Sequence, residues 1–174
     1  TARLDAMREA QTLMDAINSY AIVSITDPSG KIVFTNDMFS EVSGYSKEEL
    51  IGQNHRIVKS KVQPDSYWSD MWKTISSGYV WRDTVCNQAK DGTPYWVDTE
   101  IAPFFGDHGI EKYVSVRTNI TPIKLAQQKL DAERSRLNNI ITGTRAGTWE
   151  WNLQTDESTV NARWAELIGH PLQD

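Results

Sequence analysis

Residues 80–105 read "VWRDTVCNQAKDGTPYWVDTEIAPFF". Val80–Ala89 and Thr93–Phe105 each carry the β-branched and aromatic side chains that suit a strand. Lys90-Asp91-Gly92 between them is a hairpin signal, because glycine supplies the positive φ that a tight reversal needs. A third run, Glu111–Ile120, follows "GDHG" at 106–109 and extends the hairpin to a three-strand meander. Upstream, Tyr20–Thr26 and Lys31–Thr35 read as two more strands around "DPSG" at 27–30, where Pro28 and Gly30 fit a turn. Short helices fill the space between. Asn36 can cap one through Val42, with Gly44 as its stop. Ser46 and Glu49 form a capping-box pattern ended by Gly52. Pro64–Ser77 reads as a longer helix stopped by Gly78, with Tyr67, Trp68, Met71, Trp72 and Ile75 on one broad face. Two strands, several helices and three consecutive strands predict an α+β fold with an antiparallel sheet.

The totals fit that reading. The 174 residues are 39% hydrophobic and 24% charged, with a net charge of −5. Without a basic block, nucleic acid is not an expected partner. The longest apolar run, Tyr20–Ile25, is far too short to span a bilayer, so no direct membrane contact is expected, and no stretch reads as a signal peptide. Cys86 is the single cysteine; a disulfide framework is excluded and a cytoplasmic setting is expected. The seven tryptophans serve either as core or as stacking surfaces for a planar ligand.

Residues 1–19 form an expected flanking helix, with Leu4, Met7, Met14 and Ile17 near a 3.5-residue spacing. After Thr121 and Pro122, residues 122–143 read as a polar linker helix. Ile123, Leu130 and Leu137 repeat every seven residues, with Ala126 and Ile140 at intervening positions and Glu133 as an interruption. The stripe is read as a dimer-forming coiled-coil seam, a solvated helix being the alternative. The chain also repeats itself: residues 149–171 match 24–46, with Asn161 on Asn36, Trp164 on Phe39, Glu166 on Glu41 and Gly169 on Gly44. Residues 144–174 are therefore expected to open a second copy of the domain at 20–121. Lacking the meander, that copy should leave Trp149, Trp151 and Trp164 incompletely covered, mobile or packed on a neighbour.

The stretches "SITDPSGKIVFTNDMFSEVSGYSKEELIGQNHRIVKS", "DMWKTISSGYVWRDTVCNQAKDGTPYWVDTEIAPF" and "YVSVRTNIT" together resemble a PAS domain. The resemblance covers about residues 20–121. Its marks are Gly44-Tyr45, Glu49-Leu50-Ile51-Gly52, Trp81, Lys90-Asp91-Gly92 and the closing Asn119-Ile120-Thr121, which is usually Asp-Ile-Thr. It implies a five-stranded antiparallel sheet with short helices on one face and a pocket between. It further implies signal transduction, with an output domain in the same chain: a histidine kinase of the two-component type, a cyclic-di-nucleotide enzyme or a chemoreceptor. The chain itself is then a sensor rather than an enzyme.

Two flavin-binding branches of the family bear on the ligand. "GQNHRIVK" at 52–59 resembles the LOV motif Gly-x-Asn-Cys-Arg-Phe-Leu-Gln. Gly52, Asn54 and Arg56 match, but His55 stands where the photoreactive cysteine would be, and an imidazole cannot form a thiol adduct. Lys59 replaces the Gln, and Val97 replaces a second flavin-site Asn. Asp70-Met71-Trp72 through Gly78, Trp81, Asn87, Lys90 and Tyr95-Trp96, together with Ser24-Ile25-Thr26-Asp27, resemble instead the FAD-binding redox PAS sensors of nitrogen fixation, methane oxidation and aerotaxis. Gln88 and Ala89 depart from the basic pair usual there. Haem, another PAS ligand, lacks its usual helical histidine, since no His occurs between Arg56 and Asp107.

The candidate cofactor-binding residues are Ser24, Asn54, His55, Trp72, Trp81, Asn87 and Arg117. Asn87 is a mid-strand amide on the face of Trp81 and Val85; inward, it suits the donor and acceptor edge of a flavin, and otherwise it bonds to backbone or water. Ser24 can hydrogen-bond the same ring or sit on a polar face. His55 can face the flavin and change protonation with redox state, its ordinary pKa being near neutrality, or lie on the surface. Trp72 packs on the sheet, and Trp81 stacks on the ligand or lines the pocket mouth. Arg117 falls where LOV proteins place a switch Gln and can meet flavin oxygens, a phosphate or an exposed carboxylate. The leading expectation is a redox or oxygen sensor holding FAD, dimeric through its terminal helices. A cofactor-free scaffold for dimerisation and signal relay and a domain binding a small carboxylate or other metabolite are the alternatives.

Overall fold

The meander is present in the computed structural model, which describes residues 2–169. β3 (Trp81–Gln88) pairs antiparallel with β4 (Pro94–Gly106), with Val85 opposite Val97 and Asn87 opposite Tyr95. β4 pairs with β5 (Gly109–Asn119). That second hairpin is tighter than expected. Gly106 pairs with Gly109, so only Asp107 and His108 lie outside the ladder. Gly109 has φ +115°, a conformation that a side chain would strain.

The N-terminal strands join this meander at β5. β1 (Ile22–Thr26) lies between β5 and β2 (Ile32–Thr35), giving the order β2-β1-β5-β4-β3. Ser24 therefore faces Ser115 across the sheet, and Ile22 faces Arg117. Burial alternates along β4: Tyr95, Val97, Thr99 and Ile101 point inward, while Asp98 and Glu100 are exposed.

The helices cover the inner face. α2 (Asp37–Ser43) is capped by Asn36, whose side chain accepts from the Phe39 N–H, and is ended by Gly44 at φ +72°. α3 (Lys47–Leu50) has the full Ser46–Glu49 capping box. A 3-10 turn, His55–Val58, starts at Asn54. α4 (Asp65–Ser76) buries Met71 and Ile75. One core cluster joins Ile22, Ile32, Phe39, Leu50, Val58, Val85, Tyr95 and Val97; a second joins Met71, Ile75, Ile101 and Tyr113, with Trp68, Trp72 and Trp81 against it. Full burial of a side chain such as Phe39 or Leu50 contributes about 1.5–3 kcal/mol.

Several expected boundaries move. α1 runs Ala2–Tyr20, past the expected end at 18–19, and the Ala21 N–H still donates to the Ile17 carbonyl. Nothing at Ser19 or Tyr20 breaks a helix, so the strand begins at Ile22 rather than Tyr20. Residue 1 lies outside the described residues. Val80, Ala89 and Thr93 fall outside the ladder, the Ala89 N–H closing the turn onto the Thr93 carbonyl. The linker forms α5, Thr121–Thr144, one residue longer at each end than the expected 122–143; its Ile123, Leu130, Leu137 and Ile140 are exposed.

The chain divides into two compact units after Lys124. In the second, β6 (Trp149–Asn152) pairs with β7 (Glu157–Val160), and α6 (Ala162–Ile168) follows. Asn161 caps α6 and Gly169 ends it at φ +71°, as Asn36 and Gly44 do for α2. Trp149 and Trp151 are 60% and 52% exposed, and Trp164 is half-buried. Positions 170 and 171 of the repeat lie outside the described residues.

Candidate functional site

The first unit holds a cavity of about 460 Å³ between α4, the His55–Val58 turn and the inner face of the sheet. Its size is that of a small-molecule or cofactor site. Trp68, Met71, Trp72 and Ile75 of α4 form one wall, Trp81, Val85, Ile101 and Tyr113 of the sheet the opposite one. The α4 residues reach it because three- and four-residue spacing stacks them on one helix face. Trp72 meets Tyr113 edge-on, ring centres 5.7 Å apart. It passes so close to the β1–β2 turn that a Cβ on Gly30 would lie 3.1 Å from its ring.

The floor is polar. Asn87, Thr99, Ser115 and Arg117 line it. Arg117 is only 5% exposed, yet it pairs with no carboxylate among the described residues. Its Nη1 donates to Ser24 Oγ at 3.0 Å, and its guanidinium lies 5.9 Å from the centre of the Phe39 ring. A guanidinium carries five N–H donors, so most of its capacity is unspent. Burial pulls its pKa down to about 10, opposed by Tyr95. The Tyr95 hydroxyl is itself raised by burial to about 12, with Arg117 and Asn87 opposing. Among the described residues, the hydroxyls of Thr99 and Ser115 and the Trp68 indole N–H, all from residues that line the cavity, are buried without a partner. Such groups are costly unless something in the cavity meets them.

His55 stacks on Phe39, ring centres 5.4 Å apart, with Nε2 3.2 Å from Ser24 Oγ. Burial, then the charge of Arg117, hold its pKa well below the ordinary 6.5. Both effects favour the neutral ring at neutral pH, and a redox-linked protonation of His55, as expected from the sequence, would have to overcome them.

Six of the seven expected residues line this cavity: Asn54, His55, Trp72, Trp81, Asn87 and Arg117. Ser24 does not. It lies behind the floor, 1% exposed, joined to His55 and Arg117. Asn54 is at the rim with its amide committed: Oδ1 accepts from the Arg56 N–H and Nε–H, and Nδ2 donates to the Ser29 carbonyl. Trp81 is half-buried and meets Tyr67 edge-on. Among the described residues no carboxylate pairs with Arg117, against one of the expected options. At the rim Lys59 pairs with Asp65 at 2.6 Å. Thr99, Ser115, Trp68 and Tyr113 were not expected. Thr99 falls on the inward alternation of Val97 and Ile101, and Ser115 two positions before Arg117, so the strand period marked both. Among the described residues no cluster of His, Cys, Asp or Glu could hold a metal. The geometry is that of a binding site.

The PAS domain family profile matches residues 19–122. The chain belongs to the PAS domain family. Among its PAS relatives, the aerotaxis receptor of Escherichia coli is 37% identical over 105 residues, covering 60% of this chain and 21% of that protein. The nitrogen fixation regulatory protein of Klebsiella pneumoniae is 33% identical over 125 residues, 71% of this chain and 25% of its own. The bacterioopsin transcriptional activator of Halobacterium salinarum is 27% identical over 142 residues, 81% and 21%. The chain thus spans a quarter or less of the length of these relatives. The crystal structure of a PAS domain from Colwellia psychrerythraea matches with a TM-score of 0.57 at 22% identity, covering 65% of this chain and 98% of that one. The structure of an RNA-binding light-oxygen-voltage receptor matches at 0.60 and 21%, covering 72% and 37%. These structures support the fold. Residues 19–122 are a PAS domain.

Proposed function

We propose that the first unit holds FAD in this cavity and reports redox or oxygen status through α5 to an output domain. The observation that carries the reading is Arg117: a buried cation without a counter-ion among the described residues, beside Asn87 and unpartnered hydroxyls, on the floor of an aromatic-walled cavity. A planar heteroaromatic ring with a carbonyl-rich edge suits both surfaces. Trp68, Trp72, Trp81 and Ile101 would flank the ring; Arg117, Asn87, Thr99 and Ser115 would meet its polar edge. Arg56 and Lys59 at the rim suit a phosphate. A bound flavin supplies reversible two-electron chemistry coupled to proton uptake.

The protein's part is to orient the ring and pass on a change at its edge. β5 runs directly from Arg117 to Asn119. There Thr121, the first residue of α5, accepts from the Trp96 N–H at 2.8 Å, and the Ile120 N–H donates to the Trp96 carbonyl. A shift at Arg117 therefore reaches the base of the helix over four residues. The exposed stripes on α5 and α1 suit a homodimer. The cofactor-free scaffold fits less well, since it calls for a side-chain-filled pocket.

Purified protein titrated with FAD, and in parallel with FMN, tests the reading. The expected result is stoichiometric binding with the blue absorption band of protein-bound oxidised flavin, bleached reversibly by dithionite. No binding of either flavin overturns it; binding of FMN alone replaces FAD as the ligand.

A further inference from the structure

We infer that Ser24 is a positioning residue that fixes the polarity of the cavity floor, orienting Arg117 and holding His55 as the neutral tautomer protonated on Nδ1. The inference deepens the flavin reading but is carried by the protein alone. Arg117 has only donors to offer, so at the 3.0 Å contact Ser24 Oγ accepts. The Ser24 hydroxyl keeps one proton to place. Its cross-strand neighbours are Thr35 on β2 and Ser115 on β5. The hydroxyls of both have no hydrogen-bond partner, so neither takes that proton. What remains is His55 Nε2, 3.2 Å away. It can take the proton only as a bare, accepting nitrogen, which puts the ring proton on Nδ1.

The opposite arrangement fails on the same count. A protonated Nε2 would bring a second donor onto the Ser24 oxygen and leave the hydroxyl proton buried without an acceptor. A doubly protonated ring would add a second cation next to Arg117, with no carboxylate pairing either residue among the described residues. The chain therefore runs one way, Arg117 to Ser24 to His55. The Arg117 corner is left with donors alone, and it selects a ligand edge made of acceptors, a carbonyl or an oxyanion. Ser24, which the sequence places among ligand contacts, acts through two residues that reach the cavity.

The test begins on flavin-free protein. The chain has three histidines, so ring ¹⁵N NMR with His55→Gln for assignment isolates the signal. The expected wild-type spectrum at neutral pH is that of a neutral ring protonated on Nδ1. Ser24→Ala should release it to a mixture of tautomers, and Ser24→Thr, which keeps the hydroxyl, should restore it. FAD affinity should fall about tenfold in Ser24→Ala and stay near wild type in Ser24→Thr. A wild-type His55 that is charged or protonated on Nε2, or an unchanged ring in Ser24→Ala, overturns the inference. If wild type binds no FAD, the flavin reading fails while the ring spectrum still decides the relay.

Discussion

Asn36 and Asn161 each hold three pieces of chain with one amide. Asn36 Oδ1 accepts from the Val23 N–H at 2.9 Å and the Phe39 N–H at 3.2 Å, and Nδ2 donates to the Ala21 carbonyl at 2.7 Å. Asn161 Oδ1 accepts from the Thr148 N–H at 3.0 Å and the Trp164 N–H at 2.9 Å, and Nδ2 donates to the Ala146 carbonyl at 2.9 Å. These three partners keep the same offsets, while the contact of Asn36 Nδ2 with Asn18 has no counterpart at Asn161. The strand pairing keeps its offset too at its start, where Ser24 faces Thr35 as Trp149 faces Val160; the register shift after Ile25 has no counterpart in β6–β7. The backbone plan of β1–β2–α2 is thus rebuilt in β6–β7–α6. The side chains on it differ. Ile22 and Phe39 become Gly147 and Trp164, a small-for-large exchange; a Cβ on Gly147 would meet the Trp164 backbone at 3.0 Å. Ser24 and Thr26, on the ligand side of β1, become Trp149 and Trp151. A cap, a turn and a stop are enough to repeat the frame, whereas the site depends on a few inward positions that the repeat does not preserve.

The largest test of that contrast is Asn36→Ala. It strips partners from two buried N–H groups and a carbonyl and removes a helix cap, and is expected to cost about 3 kcal/mol in denaturant unfolding. Asn161→Ala, in a unit whose strands are exposed, should cost less; equal losses would show that the two frames are equally needed. Next comes Ser24→Trp, which installs the second unit's residue in the first. Overpacking should cost about 1–3 kcal/mol and abolish FAD binding in the titration. Retained binding would mean that this strand does not set the floor.

A smaller effect with opposite signs is expected for Arg117→Met. Removing an unpaired buried charge should raise the stability of the flavin-free protein by about 2 kcal/mol in thermal unfolding, while FAD affinity falls. Loss of both would recast Arg117 as a structural residue. The smallest effect is the pH dependence carried by His55. Its folded pKa lies below its unfolded value, so the unfolded chain binds the proton first as pH falls. Stability is full above 6.5 and drops below it, by about 1 kcal/mol over the first pH unit, levelling off below the folded pKa. His55→Gln should flatten that segment of the profile; an unchanged profile would mean that His55 is solvated.

Much of this could be read from local pattern. The Lys90-Asp91-Gly92 hairpin, the Asn36 and Ser46 caps and the repeat at Asn161 rest on residues a few positions apart. The error at Tyr20 came from the same source: an apolar residue before a strand looks like strand until the helix ahead of it is seen to continue. Thr99 and Ser115 went unread because a small hydroxyl on a strand fits water as well as a cavity, and only its neighbours choose. Ser24 was placed in the site for its position, but its bonds run to protein.

The order of elements, their caps and stops, and the second copy of the opening motif were therefore settled by the 174 residues alone, because hydrogen bonds that end a helix or close a turn span only a few positions. The insertion of β1 between β2 and β5 was not, since pairing over that distance leaves no local trace. That pairing brings Ser24 to Arg117 across 93 positions, and the His55–Val58 turn, held to the Gly30 carbonyl, brings His55 to Ser24 across 31. A guanidinium and an imidazole that would each be ordinary surface groups become, once the sheet has closed over them, an unpaired buried cation and a neutral ring, because burial penalises charge and leaves one hydroxyl to serve both.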